Sequence, residues 1–300
     1  MDRRYDRKSP LADDRGYLGF GFVAQILGMN YLEPFAFIGA RFVLGALSLL
    51  PVIWYLRRRG IPTGPGIGYM TFASCVLGAI LFAASSFQQV GLLYTTASNA
   101  GFITGMYMVF VPIFGLMLGM ATGLVTWVGC IVAAFGLYLL GVDDQYQMGY
   151  GDLLQLAGAG IWALHILAID HFTKHAPGVQ LACGQFVVCS ALGIFVSIVF
   201  AGESTVWSQL VAAGPTLVYA GIITVGVAYT LQIVAQARAN PVHAGIILSL
   251  EAVFGAIGGY LMLDELLNSR QLIGCALMLA GMILSQLATP ASNTERRQSS

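Results

Sequence analysis

Apolar runs of about twenty positions recur along all 300 residues, separated by short clusters of Pro, Gly and charge. This punctuation marks about ten spans, with approximate limits 16–32, 34–56, 67–93, 97–119, 123–142, 152–173, 178–202, 212–236, 241–263 and 270–289. A helix of about 20 residues rising 1.5 Å per residue crosses the hydrocarbon core of a bilayer, so each run is long enough to be a transmembrane helix. The longest connections, such as RRRGIPTGPG and DDQYQMGYG, are too short to carry a separate core. The expected architecture is an all-α membrane protein of about ten transmembrane helices.

The chain also repeats itself. Phe42/Phe186, Gln88/Gln232, Val90/Val234, Ala100/Ala244, Gly101/Gly245, Ile103/Ile247, Phe110/Phe254 and Gly115/Gly259 all differ by 144 positions. After a one-residue insertion, Gly129/Gly274, Cys130/Cys275 and Gly136/Gly281 differ by 145. Each copy holds about five spans, and an odd number of crossings makes the second copy enter the membrane upside down relative to the first. Inverted pairs of this kind place a substrate site near the midplane between the copies and open it alternately to each side. The predicted organisation is a first five-helix repeat over 1–145, a second over 146–290 and a cytoplasmic tail over 291–300. At the same offset SPLADDRGY (9–17) faces LLQLAGAGI (153–161), so the first span lacks the apolar opening of its counterpart. From Gly16 to Leu32 a helix reaches about 25 Å, and either the short helix is real or the start is misassigned.

Composition narrows the solvent and the partners. Hydrophobic residues make up 57% of the chain and charged residues 9%, with a mean hydropathy of +0.78, so the excess apolar surface faces lipid. Net charge is zero and the cations form no stripe, which excludes nucleic acid as a partner. Arg3, Arg4, Arg7, Lys8, Arg15, Arg57, Arg58, Arg59, Lys174, Arg238, Arg296 and Arg297 all fall on one side of the predicted spans, while Glu33, Asp143, Asp144, Asp152, Glu203, Asp264 and Glu265 fall on the other, with Arg270 its only cation. The positive side is the cytoplasmic one, so both termini are expected there, in a bacterial-type inner membrane. The basic start carries four aspartates and no small-residue cleavage site, so the first span is expected to remain. The five cysteines sit inside apolar runs and read as buried free thiols.

Three stretches, GFGFVAQILGMNYLEPFAFIGARF, FITGMYMVFVPIFGLMLGMATGLVTWVGCIVAAFGLYLL and LSLEAVFGAIGGYLMLDELLNSRQLIGCALMLAGMIL, resemble the EamA family of the drug/metabolite transporter superfamily. The resemblance covers the chain after residue 16. It implies ten helices as two inverted five-helix repeats around a central cavity, and export of small metabolites such as amino acids or of drug-like compounds. Where the family pattern has Trp-Gly in helix one, this chain has Leu18-Gly19, and where it has Glu-Pro in helix nine, this chain has Glu251-Ala252. The tryptophan occurs instead in the second copy, as Trp162, 144 positions from Leu18.

Glu251 is the leading candidate site residue. It lies near the centre of VHAGIILSLEAVFGAIGGYLML, with Gly255 and Gly259 at i+4 and i+8 forming a small-residue stripe that favours packing against another helix. An ionisable group at this depth costs at least about 2.5–3.5 kcal/mol to insert. Two readings stand: a cavity-lining carboxylate that meets a substrate amine or cycles a proton, or a hydrogen-bonded acid that fastens two helices. Arg41 is the cation nearest to it in depth, and either pairs with Glu251 or snorkels outward.

Tyr107 holds in copy one the place of Glu251 in copy two. Trp162 and His165, one turn apart on span six, are a further aromatic and titratable pair, with a satisfied core imidazole as the plainer account of His165. Gln88 and Gln232 are repeat counterparts that either bind a polar substrate or join helices. Pro112 interrupts span four, which also carries Gly101 and Gly105, so this helix reads as a bend or as a tight packing face. Asp170, His171 and His175 at the end of span six read as a solvated group rather than a metal site.

Catalytic patterns are missing. The two lysines follow no P-loop glycines, HExxH and GxSxG do not occur, and the Gly19-to-Ala24 imitation of a dinucleotide fingerprint lies inside a membrane span. No cofactor is expected. The preferred reading is a secondary transporter exporting small amino-acid-like or drug-like metabolites by alternating access. A non-transporting membrane scaffold or an intramembrane enzyme are the alternatives. Expected partners are a small-molecule substrate and the lipid bilayer, with a homodimer left open.

Overall fold

A computed structural model describes residues 21–60, 64–120, 123–141, 148–201, 207–237, 241–242, 248 and 268–287. Every regular element among them is helical: α1 (Gly21–Gly28), α2 (Pro34–Arg58), α3 (Ile67–Gly91), α4 (Ala97–Thr104), α5 (Tyr107–Met117), α6 (Leu124–Gly141), α7 (Tyr150–Thr173), α8 (Gly178–Val196), α9 (Trp207–Ala212), α10 (Gly214–Val218), α11 (Thr230–Gln236) and α12 (Ser269–Leu287). Two π-helical segments, Ser197–Ala201 and Tyr219–Tyr229, continue α8 and join α10 to α11. Six stretches among the described residues are long and apolar enough to cross a membrane: Pro34–Arg58, Ile67–Gly91, Asn99–Met117, Tyr150–Thr173, Gly178–Val199 and Gly214–Gln236. Large apolar side chains such as Ile67, Ile131, Trp207 and Leu231 face outward, the arrangement lipid requires.

Local chemistry sets the helix ends. Glu33 caps α2, its carboxylate accepting from the Ala36 amide at 2.9 Å and the Phe35 amide at 3.3 Å, with Pro34 in the first turn where no amide is missed. The expected first span ends at Gly28 rather than at 32, because 3₁₀-type bonds from Asn30 and Tyr31 back to Leu27 and Gly28 close it ahead of that cap.

The fourth span is broken where the sequence places only a bend. Gly105 and Met106 separate α4 from α5, and Pro112 lies nearly two turns further on. Proline cannot donate to the carbonyl four residues back, that of Met108, and the Cys130 thiol on α6 donates to it at 3.9 Å instead.

Helix pairs repeat their contacts across the two halves. A Cβ placed on Gly136 of α6 would fall 2.6 Å from the Gly274 carbonyl oxygen of α12. One placed on Gly281 of α12 would meet the Gly129 carbonyl oxygen and fall 2.7 Å from the Ala133 nitrogen of α6. As the position on α6 rises, the partner on α12 falls, so the two helices run antiparallel at backbone contact distance. Under the offset of 145, Gly136 corresponds to Gly281 and Gly129 to Gly274, so each contact is the image of the other. Similarly α3 runs parallel to α8, Gly78 against Val188 and Gly184 against Ser74. The corresponding segment Tyr219–Tyr229 runs parallel to α2, Gly221 against Leu44 and Gly226 against Ser48.

Candidate functional site

Where α3, α5, α7 and the Tyr219–Gln236 stretch come together, Gln88, Tyr107, Trp162, Ile166, Tyr229, Gln232 and Leu248 line a cavity of about 20 Å³. That is room for one or two water molecules. Four of the seven lining residues are ones the sequence singles out, and the repeat counterparts Gln88 and Gln232 both face the same space.

Gln88 is tightly held. Its Oε1 accepts the indole Nε1–H of Trp162 at 2.9 Å, and its backbone carbonyl accepts Nε2–H of Gln155 at 2.9 Å. Gln155, fully buried, in turn accepts from the Thr104 hydroxyl at 3.2 Å, tying α7 to both α3 and α4. Helical spacing explains the shared face: Gln155, Trp162 and Ile166 lie at i, i+7 and i+11 on α7.

Aromatic rings form the wall behind. Trp162 meets Tyr229 edge-on at 5.9 Å, and Phe42 meets Tyr229 at 6.4 Å and Phe186 at 5.8 Å. His165 does not line the cavity. It packs edge-on behind Trp162 at 5.6 Å, and its Nε2 lies 3.0 Å from Gln185 Oε1 while Nδ1 has no hydrogen-bond partner among the described residues. Arg41 is buried at 1% exposure, with its guanidinium 5.1 Å from the Phe42 ring centre and 5.8 Å from that of Phe37. Such cation–π contacts offset part of its desolvation. The side chain therefore does not snorkel to the surface.

Gly101 and Gly105 are buried on the α4–α5 span, as is Pro112. Glu251, Gly255 and Gly259 lie outside the described residues, and so does the pairing of Glu251 with Arg41. At the end of α7, Lys174 bonds Asp170 at 2.7 Å, and the His171 and His175 rings stand 6.1 Å apart. No group of three or more His, Cys, Asp or Glu fit to hold a metal occurs among the described residues.

Sequence reasoning missed Tyr229, Ile166, Gln155 and Gln185. The spacing of Tyr229 three residues before Gln232 was the available signal for the first, and the polar Gln155 two turns before Trp162 for the third.

The family model for the EamA-like transporter family matches residues 17–142 and again 149–287. The chain belongs to this family. It is 30% identical over 295 residues to an uncharacterized transporter of Archaeoglobus fulgidus, covering 90% of this chain and 85% of that one. It is 27% identical over 281 residues to a probable amino-acid metabolite efflux pump of Escherichia coli, covering 89% and 90% of the two chains. The threonine/homoserine exporter RhtA of the same bacterium is 28% identical over 169 residues, covering 54% and 55%. A solved crystal structure 20% identical in sequence superimposes with a TM-score of 0.66 over 93% of this chain and 96% of the other, a likeness of fold alone. This EamA-family chain is thus a multi-pass membrane protein of a transporter family, with the family domain present twice.

Proposed function

We propose that this protein is a secondary exporter of small amino-acid-like metabolites, working by alternating access between two inverted five-helix repeats of a ten-helix bundle in the cell membrane. The observation that carries the reading is that Gln88 and Gln232, counterparts 144 positions apart, line one cavity. Two copies related by inversion present the same residues to a shared centre from opposite sides, which is the arrangement that alternating exposure needs. The reciprocal antiparallel contacts of α6 with α12 support the inversion. The names of the Escherichia coli relatives, an amino-acid metabolite efflux pump and a threonine/homoserine exporter, support the cargo class and the direction.

Glu251 is assigned the coupling role. It follows the cavity-lining Leu248 by three residues, and on a helix those positions share a face. Its counterpart Tyr107 also lines the cavity. The distribution of cations supports a cytoplasmic location for both termini.

The reading is tested with single cysteines at positions 88 and 232 in a cysteine-free background. A membrane-impermeant thiol reagent should reach each from either side of the membrane, and threonine should slow both reactions. A scaffold with a closed centre predicts no labelling from either side, and that result would remove the transport reading.

A further inference from the structure

Among the described residues the cavity wall carries amide and aromatic groups but no charge, so its selectivity has to come from the direction in which its hydrogen-bonding groups point. One of those directions is set by elementary chemistry. An indole Nε1–H donates and never accepts. Because the Trp162 indole donates to Gln88 at 2.9 Å, the atom it meets is the amide oxygen, and the amide nitrogen of Gln88 is the end left to the cavity. The amide cannot turn over without setting two N–H groups against each other. Nor does its backbone drift, since Gln155 Nε2 holds the Gln88 carbonyl at 2.9 Å. Among the described residues no such clamp holds the counterpart Gln232, which also lines the cavity.

Building on the transporter reading, we infer that Gln88 is a specificity-determining residue whose clamped amide N–H₂ donates to an acceptor group of the cargo, and that Trp162 is the positioning residue that fixes this polarity. The acceptor it suits best is a carboxylate, because a hydrogen bond with an ionised acceptor is about twice as strong as one between neutral groups. Gln232 then serves the variable remainder of the molecule.

Proteoliposomes loaded with the twenty proteinogenic amino acids and their carboxamides separate acceptor charge from side-chain identity. Efflux is followed by mass spectrometry after subtraction of leak from protein-free liposomes. The wild-type protein should release the acids about tenfold faster than the amides. In Gln88→Met the donor is gone, and the ratio of acid to amide efflux should fall below about threefold. Removing one partner alone strands the Trp162 N–H, so the double variant Trp162→Phe/Gln88→Met, in which both partners become apolar, covers a folding failure of the single one.

Equal acid and amide efflux from the wild type overturns the inference, as does a preference kept in either variant. Loss of both fluxes from a variant with an unchanged melting temperature also overturns it, since Gln88 then serves all cargo alike. If the wild type shows no protein-dependent efflux of any compound, the transporter reading itself fails and the inference falls with it.

Discussion

Phe42 and Phe186 stand 144 positions apart in the sequence, and their rings lie 5.8 Å apart in the fold. A residue that touches its own counterpart must sit close to the axis relating the two copies. Gln88 and Gln232 face one cavity for the same reason, so the aromatic wall and the polar lining share one pseudo-symmetric origin.

Replacing either phenylalanine by alanine should therefore open the same part of the core. Both side chains are fully buried, and each loss should cost about 3 kcal/mol or more. Since the two share one contact, the double variant should cost about 1 kcal/mol less than the sum of the singles. Unfolding of the four proteins in detergent measures this, and strict additivity would show that the ring contact contributes nothing of its own.

The glycines at the α6–α12 seam lead to a second expectation. A Cβ on Gly136 would fall 2.6 Å from a backbone oxygen and 2.8 Å from the Met278 nitrogen, neither of which can move alone. Gly136→Val should force the helices apart and lower stability by about 1–3 kcal/mol, with Gly281→Val doing the same. Gly160, in the middle of α7, has nothing within 4 Å of its would-be Cβ. Gly160→Ala should be neutral or stabilise by about 0.5–1 kcal/mol, because a helix-interior glycine gives up more entropy than alanine. Thermal unfolding that ranks the three variants otherwise would contradict the seam.

These relationships show how far the residues alone could lead. The offset of 144 was enough to bring Gln88 and Gln232 together, and the place of Tyr107 in the repeat was enough to aim it at the same space. For His165 the plainer account, a buried core imidazole, describes its place: three residues on from Trp162 is 60° short of a full turn, and the ring lies against Gln185 on α8. Tyr229 escaped notice because it ends the π-helical segment Tyr219–Tyr229, where a wider turn puts side chains out of phase with a 3.6-residue period. The partners of Arg41 were illegible because Phe37 and Phe42 lie on its own helix but are picked out only once that helix is packed. The break at Gly105 and Met106 sits nearly two turns ahead of Pro112, the residue to which the sequence points.

That break is the basis of a third prediction. Pro112→Ala supplies the amide that Met108 lacks, making the Cys130 thiol bond redundant. The variant should be at least as stable as the wild type, and its rate of export should fall several-fold if the α4–α5 span flexes during the cycle. Turnover in proteoliposomes compared with melting temperature distinguishes the cases. An unchanged rate would mean that the glycines and the proline serve packing only.

Glu251 calls for an experiment that separates coupling from binding. If it carries the proton exchanged for cargo, Glu251→Gln keeps the shape and hydrogen-bonding capacity of the side chain but removes the exchangeable charge. Uphill export driven by an imposed proton gradient should then be lost. Exchange of labelled for unlabelled threonine across the membrane, which needs no net proton movement, should persist. Loss of both would make Glu251 a binding or structural group, consistent with an acid that fastens two helices. Retention of both would take it out of the mechanism and leave the driving force to the cargo's own gradient.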